Sequence, residues 1–450
     1  MFARPLFRLI AILPALLLTP LAAHAIEAQR VISPGGIEAW LVEDHSVPVI
    51  ALEVGFDGGA ALDPENKPGL ANMVSALLDE GAGDLDSLAF RTKLESLAIG
   101  LSFSASQDNF TGSLRTLLDN RDTAFDLMRQ ALTAPRFDAE PVSRIRSQIQ
   151  TSLKFDLQDP NTIASRRWNE VVFADHPYSR PTSGTPESVA AITLEDLRAF
   201  VPTRLGRDRM KIGVAGAISP DDLKPLLDST FGGLPAEVSM PPVLAATLHG
   251  TGKTVVVEKD IPQSVAVIGH GGIDRHHPDF YPAFVVNHVL GGGGFTSRLM
   301  QEVREKRGLA YSVYSGLAAY DHAPLVVGGV GTGNARMKES LDIIRAEWAR
   351  MAAEGPTAEE LEDAKTYLMG AWPLRFTSTP NVAGILASMQ LDGYPIDHLQ
   401  TRNDKVAAVT LEDARRVAAS LYKPDALTVV VVGQPDGVQE AARETAEPAR

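Results

Sequence analysis

At 450 residues the chain is long enough for two ordinary cores, and it carries 56 acidic against 42 basic residues with no cysteine. A net charge of −14 with no basic cluster speaks against a nucleic-acid partner, and the missing thiols exclude a disulfide-stapled module and thiolate chemistry. The acidity either attracts basic peptides over long range or serves solubility alone.

Arg4 and Arg8 precede the apolar run Leu9–Leu21, which ends at Ala23-His24-Ala25, small residues in the pattern that signal peptidase cleaves. Pro14 and Pro20 interrupt the run, and it falls short of the roughly 20 residues a retained span needs. Residues 1–25 therefore read as a signal peptide, with a mature chain from Ile26, export to the periplasm, and no transmembrane anchor after cleavage. Removing Arg4 and Arg8 carries the charge from −14 to −16.

Two strand-like stretches, 36–42 and 47–54, precede a helix from about Gly69. Helices are expected at 87–97, 116–133, 139–155 and 194–200, with 102–112 as a strand offering a sheet edge for an extended peptide. Strand 210–216 closes this part, and the Pro- and Gly-containing stretch around 236–252 reads as a linker. Strands at 254–257 and 264–268 follow, then a helix from about Tyr281, a charged helix at 297–307 and a strand at 311–315. Helices at 337–354, 357–370, 382–391 and 411–421 lead to a last strand at 427–433.

The chain repeats itself. Ala191-Ile-Thr-Leu-Glu-Asp196 recurs as Ala408-Val-Thr-Leu-Glu-Asp413, and the strand ending at Gly216 recurs as the one ending at Gly433, both at an offset of 217 residues. The expected fold is α+β: two homologous domains, 26–235 and 253–437, each a mixed sheet with helices packed on one face, followed by a flexible tail at 438–450.

Three stretches carry chemistry or its absence. Pro68-Gly-Leu-Ala-Asn72-Met-Val-Ser75-Ala76-Leu-Leu-Asp-Glu80-Gly81 is a helix entered by Pro and Gly, with Asp79 and Glu80 read as its solvated end. Gly291-Gly292-Gly293-Gly294 ends a later helix with four residues lacking side chains, which reads as a flexible loop near a substrate or partner. No lysine–hydroxyl pair follows it, so it is not a phosphate loop. Phe295-Thr-Ser-Arg-Leu299 then runs to Arg304-Glu-Lys-Arg-Gly-Leu-Ala-Tyr311, placing a guanidinium and a phenol seven residues apart. Both can donate hydrogen bonds to carbonyls and to a developing oxyanion. His270, Asp274, His276, His277 and Asp279 crowd one loop, but adjacent His276 and His277 do not readily turn to one ion alongside His270, so no metal is assigned there. His176-Pro177-Tyr178 reads as loop packing.

The first of these frames resembles the zinc-binding helix of the insulinase/pitrilysin metallopeptidases, in which a His-x-x-Glu-His cassette supplies two imidazoles and a general base. Here those places hold Asn72, Ser75 and Ala76, and the stretch 142–169, where the family takes its third ligand, contains no Glu. The second-half frame from Gly291 to Tyr311 is similar to the same family's substrate-binding signature, with Arg304 and Tyr311 as its arginine and tyrosine. The resemblance covers essentially the whole mature chain and fails where the metal is held.

What the resemblance implies is a noncatalytic, substrate-binding subunit of a heterodimeric zinc endopeptidase acting on peptides or unfolded polypeptides. This chain would bind no cofactor; zinc is expected in a homologous exported partner with an intact His-x-x-Glu-His, to which Arg304 and Tyr311 are supplied in trans. The alternative is a catalytically silent peptide-binding or structural subunit of the cell envelope. A self-contained hydrolase lacks support, because cysteine is absent and no Gly-x-Ser-x-Gly elbow occurs.

Overall fold

A computed structural model describes residues 27–446. The expected signal peptide and its cleavage point lie outside the described residues.

The first half builds a six-stranded sheet from β1 (Gln29–Ile32), β2 (Glu38–Glu43), β3 (Val49–Asp57), β4 (Gly100–Ala105), β5 (Asn109–Leu117) and β6 (Met210–Gly216), in the order β1-β2-β6-β3-β5-β4. β2 and β6 are parallel and the other pairs antiparallel, so the sheet is mixed. Alternation along β3 sends Ile50, Leu52, Val54 and Phe56 into one core. That core is closed by α1 (Leu70–Ser75), α2 (Ser87–Ser96), α3 (Arg121–Thr133) and α4 (Ala139–Asp156), with later helices described below. The stretch expected as one strand at 102–112 is instead the end of β4, a turn at 106–108 and the start of β5. β5 continues to Leu117, so the helix expected from Thr116 begins only at Arg121. Ser106 and Asn109 lock this turn through their backbones and the Ser106 hydroxyl.

Asp159-Pro160 does not close a helix but opens one: α5 (Pro160–Phe173) has Asp159 as N-cap, its carboxylate accepting from the Thr162 N–H at 2.7 Å, with Pro160 at the first turn. α6 (Pro186–Ala191), α7 (Leu194–Arg204) and α8 (Pro220–Phe231) complete the half.

The second half repeats the plan with β7 (Thr254–Glu258), β8 (Gln263–Gly271), β9 (Ala310–Tyr320), β10 (Ala323–Gly333), β11 (Thr428–Gly433) and β12 (Ala442–Thr445), ordered β12-β7-β11-β8-β10-β9. Its helices are α9 (Phe280–Asn287), α10 (Met337–Glu354), α11 (Ala358–Ala371), α12 (Thr379–Leu391), α13 (His398–Ala407) and α14 (Leu411–Leu421). The two orders correspond strand for strand except at one edge, where β1 of the first half is matched by β12 of the second. The tail, expected to be free, thus adds a parallel strand to β7, and Glu444 pairs with Arg167 at 2.6 Å.

Each sheet has helices of its own half on one face, and on the other chiefly a helix from the opposite half. α5 lays Ala164, Trp168, Val172 and Phe173 on Val255, Val257, Val430 and Val432, and the Trp168 indole donates to the Thr428 carbonyl at 3.1 Å. Reciprocally, α12 lays Val382, Ala383, Leu386 and Met389 on Trp40, Ala51 and Ala215, and the Gln390 amide donates to the Ile212 carbonyl at 2.7 Å. Gly213 makes the second crossing possible, since a Cβ there would stand 2.1 Å from the Ala383 carbonyl oxygen. Where the β4–β5 turn meets the β9–β10 turn, the Tyr178 hydroxyl donates to Asp108 and accepts from the His322 N–H at 3.2 Å.

Candidate functional site

α1 is entered through Gly69 at φ +95°, where a Cβ would meet the Ser183 carbonyl oxygen at 2.8 Å. The buried Asp63 carboxylate accepts from the N–H groups of Gly69 and Ala71 and pairs with Arg204 at 2.9 Å, fixing the start of the helix. Asn72 and Ala76, four residues apart, share a half-buried face. Ser75 is buried and turns its hydroxyl back to the Asn72 carbonyl at 2.8 Å. This donor set does not fit zinc: an amide, an occupied hydroxyl and a methyl group supply neither ligands nor a base. Across the described residues no group of three His, Asp or Glu is placed to hold a metal.

Glu80 is not at a solvated helix end. It is buried, accepting from Arg144 of α4 at 2.6 Å and from Arg91 of α2 at 2.9 Å. Burial alone would raise its pKa, but the two guanidiniums and Ser87 outweigh this and hold it below the usual carboxylate range. Asp79, with no such pair, is pushed up by burial to about 6. α1 ends at Ser75, so the ion-pair triad ties the turn that follows it to α2 and α4.

In the second half the glycine run is not an open loop from its start. Residues His288–Gly292 continue α9 as a wide π turn, and buried Gly291 lies so close to β9 that a Cβ would meet the Ser315 N at 2.4 Å. Only Gly294, at φ +57°, needs glycine for its own conformation. A second π-helical stretch, Met300–Glu305, replaces most of the expected regular helix, closed by the Lys306 N–H on the Gln301 carbonyl. Such wide turns recur at functional sites and re-aim the side chains they carry.

Arg304 projects from this second stretch into an aromatic sandwich. Its guanidinium carbon lies 4.7 Å from the Tyr311 ring centroid and 4.6 Å from that of Phe295. Tyr311 occupies a β-bulge: Ser312 pairs with Gly331 and Ala310 with Thr332, which leaves Tyr311 without a partner on β10. The residue is 82 % exposed. The structure brings the side chains of Arg304 and Tyr311 together and adds Phe295, to which the sequence assigned no role. The available signal was its place in Gly-Phe-Thr-Ser-Arg, an aromatic directly after four glycines. The chain behind the sandwich is anchored by Arg298, whose buried guanidinium grips Glu360 at 2.7 and 2.6 Å and the Gly355 carbonyl at 2.9 Å.

The histidine-rich loop forms no cluster. His270 is buried, its Nε2 accepting from the Trp348 indole at 3.1 Å and its Nδ1 donating to the Gly271 carbonyl, with burial lowering its pKa. His276 packs on Tyr394, and His277 lies 4.0 Å from Asp279. The α1 face and the arginine sandwich belong to different halves, and no hydrogen bond or ring contact joins them among the described residues.

Comparison with known proteins places both halves. Residues 39–186 match the model for insulinase (peptidase family M16), and residues 191–368 the model for the peptidase M16 inactive domain. A non-peptidase homolog, YmxG, of Helicobacter pylori is 26% identical over 413 residues, covering 92% of this chain and 95% of that protein. The mitochondrial-processing peptidase subunit beta of Lentinula edodes is 22% identical, covering 87% of this chain and 86% of its own. A crystal structure of a peptidase M16 inactive domain from Pseudomonas fluorescens superposes with a TM-score of 0.85 at 28% identity, over 92% of this chain and 99% of that one.

Proposed function

The chain belongs to the insulinase family, peptidase family M16, and from that premise we propose that it is the noncatalytic, substrate-binding subunit of a two-subunit zinc endopeptidase of the cell envelope. One contrast carries the reading: the metal helix is kept in frame without a single ligand, while the arginine sandwich is fully built. A scaffold protein needs neither an exposed tyrosine on a bulge nor an arginine held between two rings. In this reading a homologous, exported partner carries the intact His-x-x-Glu-His helix and its zinc, and this chain presents Arg304 and Tyr311 to the peptide.

What this chain's residues do follows from their geometry. The two rings fix the plane of the Arg304 guanidinium, so its N–H edges are preorganised to donate to peptide carbonyls and to oxyanion charge without reorganising. The Tyr311 hydroxyl, without a hydrogen-bond partner among the described residues, donates beside it. A name ending in "subunit beta" for one relative supports an assembly of unlike chains.

The test is native mass spectrometry with metal analysis on the complex recovered from its own cell envelope. A mass near twice that of one subunit, with a second polypeptide and about one zinc, supports the reading. A zinc-free monomer or homodimer overturns it and leaves the silent peptide-binding or structural role.

A further inference from the structure

Beside the sandwich lies an open cleft of about 470 Å³, walled by Arg304 and Glu305, by Tyr311, by Gln263 at the start of β8, by the end of β10 at Gly331 and Gly333, and by Arg336. Its charged groups are two arginines and one glutamate, a locally positive site on a chain of net charge −14. Glu305 sits 3.5 Å from the Arg304 Nε and is more exposed than it. Arg336 spends one nitrogen on the Gly308 carbonyl at 3.0 Å and is otherwise exposed. The Gln263 side chain, exposed at the rim, makes no hydrogen bond among the described residues. Gly331 and Gly333 put no side chain on this wall, and a Cβ at Gly333 would touch nothing within 4 Å, so a ligand backbone has room to lie against the strand end.

The placement of Arg336 is the informative feature. It is the N-cap of α10, an 18-residue helix, and caps it with no side-chain hydrogen bond. A cation at a helix N-terminus faces the positive end of the macrodipole, where an anion or a hydrogen-bond acceptor is favoured. Within α10 the arginine is offset only by Glu339 of the first turn, and an anion in this cleft meets both guanidiniums and the dipole together.

We propose that this cleft binds a carboxylate of the peptide, either its C-terminal carboxylate or an acidic side chain, and so sets which peptides reach Arg304 and Tyr311. This rests on the peptide-binding reading above. It also reverses the preference that overall charge suggests, since the acidic surface favours basic peptides at long range while the cleft selects a negative group at contact.

The test uses the mature full-length chain and an N-terminally fluorescein-labelled alanine–serine octapeptide, followed by fluorescence anisotropy. Three forms are compared: free C-terminal carboxylate, C-terminal amide, and amide with one internal glutamate. The amide binds roughly tenfold more weakly than the free acid or worse, as expected when a charge-assisted pair is lost. Recovery with the internal glutamate assigns the site to acidic side chains, and no recovery assigns it to chain ends. Arg336→Ala abolishes the discrimination with only a small change in thermal midpoint, since the side chain is exposed and gives up a single hydrogen bond, to the Gly308 carbonyl. Equal binding of all three forms, or discrimination that survives Arg336→Ala, overturns the carboxylate site while leaving peptide binding intact. No binding of any form overturns both readings.

Discussion

Arg298 and Glu360 form a two-pronged ion pair, with nitrogen to oxygen distances of 2.7 and 2.6 Å, that ties the chain ahead of the second π-helical stretch to the first turn of α11. Glu360 simultaneously accepts from the Thr357 N–H, so a single carboxylate serves as capping-box member and anchor. Burial tends to raise the Glu360 pKa, but the Arg298 fork and the Thr357 N–H prevail and hold it below its ordinary value. With a depressed folded pKa, its stabilisation is present above the unfolded value near 4.5 and is lost as pH falls through the folded one. Glu360→Gln leaves the Arg298 guanidinium buried beside a neutral amide and is expected to cost about 2–4 kcal/mol at pH 7. Urea denaturation checks this, and the difference from the parent shrinks below about pH 4.

Arg304→Ala in a reconstituted pair is expected to lower kcat/KM about 10²- to 10³-fold, the scale of losing an oxyanion donor. Assembly measured by sedimentation stays unchanged. Arg304→Lys retains the charge but loses the planar fork between the rings, and recovers only a small part of the rate. Full activity in Arg304→Ala would remove this residue from the mechanism.

Glu53 lies on β3 between Leu52 and Val54, on the opposite face of the strand from those core residues, and burial raises its pKa to about 7 despite a hydrogen bond from Ser113. A raised folded pKa means the favourable state is the protonated one: its contribution is intact below about pH 4.5 and is lost as pH climbs through 7. Glu53→Gln is therefore expected to stabilise the protein at pH 8 by up to about 3 kcal/mol, since each tenfold change in proton affinity between the folded and unfolded chain is worth about 1.4 kcal/mol. At about pH 4 the two proteins should melt together. A variant less stable at pH 8 would show that the ionised carboxylate has a favourable partner.

Rewriting the helix as Asn72→His, Ser75→Glu and Ala76→His does not restore a peptidase. Ser75 is 5 % exposed, so a glutamate there enters the core and costs several kcal/mol. α4 adds no third ligand, because its Glu140 stands at its first turn and is paired with Arg144. Two histidines four apart still bind zinc weakly. Equilibrium dialysis should find that zinc, and a peptide assay on the isolated chain should find no hydrolysis.

Gly213→Val tests the crossing helix. With a Cβ position 2.1 Å from the Ala383 carbonyl oxygen and 2.6 Å from the Ala387 N, backbone must move, and a loss of about 2–4 kcal/mol is expected. Faster amide exchange along α12 would locate the damage.

Much of this was readable from residue order. The 217-residue offset announced two like halves, and the strands ending at Gly216 and Gly433 occupy equivalent places in the two sheets. Arg304 and Tyr311 were legible because they sit in one short local frame. What escaped depends on contacts between distant segments. α5 was hidden because Asp159-Pro160 signals a break as readily as a start, and its apolar face matches a sheet some 90 to 270 residues further along. The solvated reading of Glu80 failed because nothing near it in sequence shows that Arg144 will arrive from α4. The bulge at Tyr311 is a mismatch in strand pairing, which one strand's sequence alone does not encode.

The exchange of α5 and α12 also bears on ancestry. A single half, cut free, would expose an apolar sheet face and carry a detached helix shaped for a sheet it does not possess. Two copies of one half could cover both faces by trading these helices, which is the arrangement the single chain makes within itself. Within one chain the two copies need not be alike: the cassette helix stands without ligands in one half and the arginine sandwich in the other, while each sheet keeps its cover.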